Sequence, residues 1–340
     1  MKSILLIAQL GGAIEWRLAG TTSEPRLPLL GFPGWSMRHP LCWSDHEREF
    51  AGWMVDGYID SELFASSRGL SFAFDGDAND HLPAESLDTI SHVLRRLRFV
   101  ARQFSVPQMV AAVSRNEGIP SGPPVEPPPH DFSQAFIRNY RLPTALTDQH
   151  LRDVASMSAD FLVPVYADVL LDALEAHVEQ DFRKALLYAA IAVESYARER
   201  LGVEMRESLL RTDGRHRTIS LPTAGGGTST KDPVAELLID GDGLRLTQLL
   251  HETALYIRGR SLLLDEPTTY RDVARLYATR NKIAHVGTPT NHDKQFPATQ
   301  KGSETALRAA VAAVSWLGDP GPYVVWDGRL VSAADGTALF

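Results

Sequence analysis

Disulfides, long apolar runs and positive net charge are all missing from this chain. One cysteine, Cys42, stands in 340 residues, so no internal disulfide forms and the chain suits a reducing cytosol. The longest uninterrupted apolar run, Ala185 to Val193, falls far short of the roughly 20 residues a membrane helix needs. No membrane partner and a cytoplasmic location are therefore expected. The net charge of −8 excludes a surface coated in phosphate-binding side chains, so a nucleic acid must be gripped locally if it is gripped at all. No internal repeat is present. With 44% hydrophobic and 22% charged residues, the composition is that of an ordinary globular protein long enough for two domains. The opening MKSILLIAQLGGAIEW has a lysine and a short apolar run but no small-x-small cleavage site, and it reads as a buried strand.

Residues 1–118 mix short apolar runs with glycine, proline and aromatic punctuation, as in GLSFAFDGD from Gly69 to Asp77, and predict an α+β domain. Within it Leu87, Ile90, Leu94, Leu97, Ala101 and Phe104 recur at helical spacing. Arg95, Arg96, Arg98 and Arg102 read as the solvated face of that helix in preference to a nucleic-acid stripe. Residues 119–146 begin with the proline-rich stretch GIPSGPPVEPPPH and predict a linker. From residue 147 to 318 the period is helical. Helices are expected at about 165–178, 182–201, 235–256 with a break at Asp240–Gly243, 269–285 and 304–317, the last ended by Gly318. A polar, glycine-rich excursion spans 212–232. Residues 319–340 form a tail in which Asp327-Gly328 between apolar runs predicts a hairpin.

The stretch LYATRNKIAHVG, Leu276 to Gly287, concentrates the chemistry. On a helical wheel Arg280 falls on the side of Val273, Leu276, Tyr277, Ile283 and Ala284, where a guanidinium is costly unless an anion meets it. Asn281 and His285, four apart, are neighbours, so the amide can orient the imidazole. Gly287 predicts the helix end, where orphan carbonyls favour an imidazolium. In ALLYAAIAVESYARERL, Ala185 to Leu201, Glu194 interrupts an apolar stripe and needs a cation. Arg280 across a bundle and Arg198 one turn along the same helix are both candidates.

Arginine with histidine five residues on, in RNKIAH, resembles the R-x(4–6)-H motif of the HEPN superfamily and its Apea-like branch. The resemblance covers about residues 160–317, including the helix that carries Glu194, and implies a HEPN-like helical bundle. Many members are metal-independent endoribonucleases that dimerise so that two motifs face one cleft, and some serve in phage defence or as toxins. Others are non-catalytic dimerisation or nucleotide-binding modules. Carried to this chain, the resemblance implies 2′-hydroxyl transesterification of RNA by a homodimer with no metal and no cofactor. Arg280 and His285 would carry the catalysis, Asn281 would orient, and Glu194 would complete the site. A trigger or regulatory partner would act through residues 1–118.

Three further stretches carry chemistry-bearing residues. His39, Cys42 and His46 match no zinc spacing and read as loop residues. AGGGTSTKD, Ala224 to Asp232, lacks the G-x-x-x-x-G-K-[ST] spacing of a phosphate loop and reads as a flexible loop. Arg211, Arg215, His216 and Arg217 in RTDGRHRT could track RNA phosphates, with solvated loop charge as the default reading.

Overall fold

The computed structural model describes residues 2–9, 16–17, 26–38, 69–76, 82–101, 113–117, 146–211, 219–222, 228–231, 245–287, 294–319, 323–326 and 329–332. The chain divides into two units, Met1–Val163 and Pro164–Phe340. The described residues are mostly helical, and the larger sheet lies in the first unit.

In the first unit, β1 (Lys2–Gln9), β2 (Trp16–Arg17), β3 (Leu27–Pro28), β4 (Trp35–Arg38) and β5 (Gly69–Gly76) precede α1 (Leu82–Ala101). They are followed by β6 (Val113–Glu117), β7 (Leu146–Thr147) and α2 (Asp148–Ala155). Five strands form one antiparallel sheet in the order β3-β4-β5-β1-β6, while β2 and β7 pair in parallel apart from it. The opening segment is thus a strand, flanked on both sides.

Alternation decides which sheet face is apolar. Trp35 and Met37 on β4 and Leu70 and Phe72 on β5 are buried, and residues two apart share a face. Against them α1 turns Ile90, Val93, Leu94, Leu97 and Ala101, the stripe its helical period predicts. Leu151 and Val154 of α2 join the same core.

Two expectations are corrected here. Arg96 and Arg98 are not on a solvated face: they are 3% and 0% exposed. Thr147 and α2 do not open the helical domain, because their apolar side packs into the first unit's core and the division falls at Val163, not at 146. The local reason is legible in the cap. Thr147 accepts from the His150 amide while His150 Nδ1 accepts from the Thr147 amide, which starts a short helix with its own apolar stripe. The proline-rich stretch lies outside the described residues.

The second unit opens with α3 (Val165–Val178) and α4 (Phe182–Arg211), packed as a tight antiparallel pair. Gln180, with φ 64°, turns the chain between them. β8 (Ile219–Pro222) and β9 (Thr228–Lys231) then pair as an antiparallel hairpin, so Thr228–Lys231 is a strand and not part of a flexible loop. Next come α5 (Leu246–Gln248), a π-helical turn at Leu249–Thr253, α6 (Ala254–Arg258) and α7 (Leu262–Asp265). Two long helices, α8 (Pro267–Val286) and α9 (Gln300–Leu317), complete the bundle before β10 (Tyr323–Trp326) and β11 (Arg329–Ser332). These last two pair with Trp326 opposite Arg329, the hairpin that Asp327-Gly328 predicts.

The centre of the bundle is α4, against which α3, α8 and α9 all pack. Its buried face is rich in small residues, Ala185, Ala189, Ala190, Ala192 and Ala197, and α9 answers with Ala306, Ala310 and Ala313. Small side chains on both helices let the backbones approach closely without voids. Two buried imidazoles are paired: His177 Nδ1 meets Ser303 Oγ at 3.0 Å, and His251 Nδ1 meets Ser261 Oγ at 3.0 Å. A half-buried clasp closes one end, where Arg258 donates to both oxygens of Glu204 at 2.7 and 2.8 Å and to the Leu317 carbonyl at 3.0 Å. No helix among the described residues is long and apolar enough to cross a membrane.

Candidate functional site

Packing of α8 on α4 puts Arg280 opposite Glu194. The buried stripe of α8 runs through Val273, Leu276 and Thr279 and then fades, with Ile283 half-buried and Ala284, His285 and Val286 exposed. Arg280 therefore sits on the bundle side where the bundle ends, its side chain 34% exposed. Position, not salt-bridge strength, makes this cation tolerable.

The segment after α8 fixes that end. Thr279 Oγ1 donates to the Arg275 carbonyl at 2.7 Å and accepts the Phe296 amide at 2.8 Å, and the Arg275 guanidinium lies 4.4 Å from the Phe296 ring centroid. Gly287, with φ 82°, closes the helix in the left-handed conformation that favours glycine, and its amide donates to the Ile283 carbonyl at 2.9 Å. The helix end predicted from Gly287 is the one observed.

Two guanidinium groups meet at Glu194, whose side chain is 14% exposed. Its Oε1 accepts from Arg198 Nε at 3.2 Å and from Nη2 at 2.9 Å. Its Oε2 faces Arg280 Nη2 at 3.7 Å, an ion pair longer than a hydrogen bond. Both candidate partners of Glu194 thus engage it, one on each oxygen. Arg280 Nη1 donates to Asn281 Oδ1 at 2.8 Å, and the guanidinium carbon lies 5.9 Å from the Tyr277 ring centroid. The amide oxygen of Asn281 is accordingly turned to the guanidinium and not to the imidazole. A single bond to a neighbouring amide leaves the other donors of Arg280 with no hydrogen-bond acceptor among the described residues.

Two guanidinium groups and one carboxylate leave this cluster with a formal excess of positive charge at a half-exposed surface. Pre-oriented donors beside such an excess suit a phosphate or another oxyanion. Arg198 belongs to the cluster, although the sequence offers it only as an i,i+4 partner.

His285 is exposed in the last turn of α8 and makes no hydrogen bond or ion pair with Arg280, Asn281 or Glu194 among the described residues. Helix geometry explains the separation: five residues turn the chain by about 140° and carry it about 7.5 Å along the axis. The imidazole of one chain therefore flanks its own guanidinium from the next face. Of the basic loop, Arg211 is the last residue of α4, while Arg215, His216 and Arg217 lie outside the described residues, as do His39, Cys42 and His46. No three His, Cys, Asp or Glu side chains come together as a metal set among the described residues.

The chain matches no family model, no curated protein and no solved structure.

Proposed function

We propose that the second unit is a HEPN-like helical bundle acting as a metal-independent endoribonuclease on RNA, as a homodimer whose two copies share one cleft. What carries the reading is Arg280: a guanidinium oriented by Asn281, countered weakly by Glu194 at 3.7 Å, with spare donors at a half-exposed surface. Chemistry follows from those donors. A base takes the proton of the 2′-hydroxyl, O2′ attacks phosphorus, and the bond from phosphorus to the 5′-oxygen breaks as an acid protonates that oxygen. The products are a 2′,3′-cyclic phosphate and a 5′-hydroxyl. Arg280, with Arg198 beside it, neutralises the charge that gathers on the phosphorane oxygens. His285 supplies one of the two proton transfers, and His285 of the second copy supplies the other.

A symmetric dimer also answers the separation of His285 from its own Arg280. An isologous contact repeats every residue across the axis, so an imidazole that flanks its own guanidinium can face its copy's. Single-chain geometry favours a second reading on the same observation: a non-catalytic module that dimerises or binds nucleotide, using the arginine pair for phosphate and no imidazole at all. A role in defence or as a toxin, with a trigger sensed by the first unit, belongs to the first reading.

Mixing wild-type chains with an excess of His285→Ala chains distinguishes the two readings. A shared site predicts that cleavage of RNA in EDTA falls faster than the wild-type fraction as chains exchange. A proportional fall defeats the shared site, and phosphate or nucleotide binding without any cleavage supports the module.

A further inference from the structure

Residues 156–163 leave α2 and reach the boundary of the first unit with almost no regular structure. Ser156, Ser158, Ala159, Asp160 and Leu162 are exposed, Leu162 to 76%. Three backbone bonds hold the local turns, from Ser156 to Arg152 at 2.9 Å and from Met157 to Val154 and Phe161 to Ser158 at 3.2 Å. None fastens the segment to anything outside α2 and itself.

A ring contact and a buried cation fasten it: the Phe161 ring lies 5.9 Å, centroid to centroid, from that of Phe99 on α1. Arg96 of α1 is 3% exposed, and its Nη2 donates to the carbonyls of Ala159 at 3.1 Å and Phe161 at 2.9 Å. The guanidinium carbon lies 5.0 Å from the Phe32 ring centroid and 5.8 Å from that of Phe161. No carboxylate pairs with it among the described residues, and its Nε is buried without a hydrogen-bond partner. Burial holds its pKa below the usual arginine range. Gly31 makes room for the arrangement: a Cβ there would fall 2.9 Å from the Met157 carbonyl oxygen and 3.0 Å from both the Ala159 amide and Arg96 Nη1.

We propose that residues 156–163 are a releasable strap, latched to the first unit by Arg96, which gives the connection between the two units a short and a long form. A guanidinium buried with two neutral carbonyls and no counter-charge among the described residues is poorly compensated, so opening the strap returns it to water and recovers hydration. Water can replace each polar contact that the strap loses. Apart from Phe99, the apolar residues of α1 that form the core, Ile90, Val93, Leu94, Leu97 and Ala101, are not needed by the latch, so the strap opens while the core stays closed. Latched, the free connection is what lies between Phe161 and Pro164. Released, it gains residues 156–161, which adds about 20 Å of extended chain.

Limited chymotrypsin digestion of the full chain reads the latch at Phe161 and Leu162, with hydrogen exchange of the α1 amides as the control on the core. Arg96→Met keeps the apolar stem and removes both donors, so cleavage at these two sites should rise about tenfold or more. Gly31→Ala should raise it from the other side of the contact, and Arg96→Lys should lie between wild type and Arg96→Met. In all three variants the amides of residues 90–97 should keep their protection. Cleavage of Arg96→Met at the wild-type rate would overturn the latch. Loss of α1 protection in step with strap cleavage in both Arg96→Met and Gly31→Ala would also overturn it, since these residues would then be holding the core.

Discussion

Truncating Arg280 to alanine separates the chemistry of the site from its stability, because the neighbours of Glu194 are now defined. Were Arg280 the only cation near Glu194, its loss would leave a mostly buried carboxylate unpaired, at a cost of about 3–5 kcal/mol. Glu194 instead keeps Arg198, which meets the same carboxylate at 2.9 Å. The interaction removed is an ion pair at 3.7 Å whose cation is 34% exposed. At that distance the bare Coulomb term is about 4.5 kcal/mol for an effective dielectric constant of 20. Hydration competes for a side chain so exposed, and pairs of this kind retain about 0.2–1 kcal/mol. We therefore expect Arg280→Ala to cost the fold about 1 kcal/mol or less while abolishing RNA cleavage. Urea unfolding followed by helical circular dichroism measures the first, and cleavage in EDTA the second. A loss of 3 kcal/mol or more, on the order of a stranded carboxylate, would show that Arg198 does not hold Glu194 and would refute the reasoning.

Other predictions concern the elements that support the site. Burial holds the His177 imidazole below its ordinary pKa against the opposing pull of Glu304, so between the folded and unfolded pKa values the unfolded chain binds more protons. The neutral imidazole's contribution is complete above about pH 6.5 and is lost as pH falls below that value, so urea midpoints should drop on acidification, and less steeply in His177→Asn. Gly302→Ala would put a Cβ 2.1 Å from the Pro297 carbonyl oxygen, an overlap with backbone that should destabilise the second unit by roughly 3 kcal/mol in the same unfolding assay. Thr279→Val leaves the buried Phe296 amide without its acceptor and should cost about 1–3 kcal/mol, with faster hydrogen exchange at Phe296.

The sequence announces α3, α8 and α9 well because periodicity reports a buried face directly. By contrast, α4 runs to Arg211 and not to about 201, and the helix expected over 235–256 is from Leu246 onward two short helices around a π-helical turn, with 235–244 outside the described residues. The end of α8 at Gly287 was legible, since only a left-handed closing residue calls for glycine there. Glu194 was legible as a charge where an apolar residue belongs. Its two-sided pairing was not, because i,i+4 spacing and a cross-helix contact leave the same trace in sequence. The contact between Asn281 and Arg280 was not legible: neighbourhood on a helix says which groups can meet, and adjacent residues leave no periodic trace. Arg96 and Arg98 read as solvated because their burial depends on a segment some sixty residues away and on tertiary packing. The domain boundary was misplaced because α2 has the period of a bundle helix, whereas Leu151 and Val154 pack in the sheet's core.

The most direct test of the central claim is the chemistry of the cut ends. Full-length protein incubated with single-stranded RNA in EDTA should leave 2′,3′-cyclic phosphate and 5′-hydroxyl termini, and both His285→Ala and Arg280→Ala should be inactive though folded. The deoxy version of the same oligonucleotide should stay intact, because it lacks the nucleophilic 2′-hydroxyl. Cleavage of that DNA, or full activity in His285→Ala, would contradict the account.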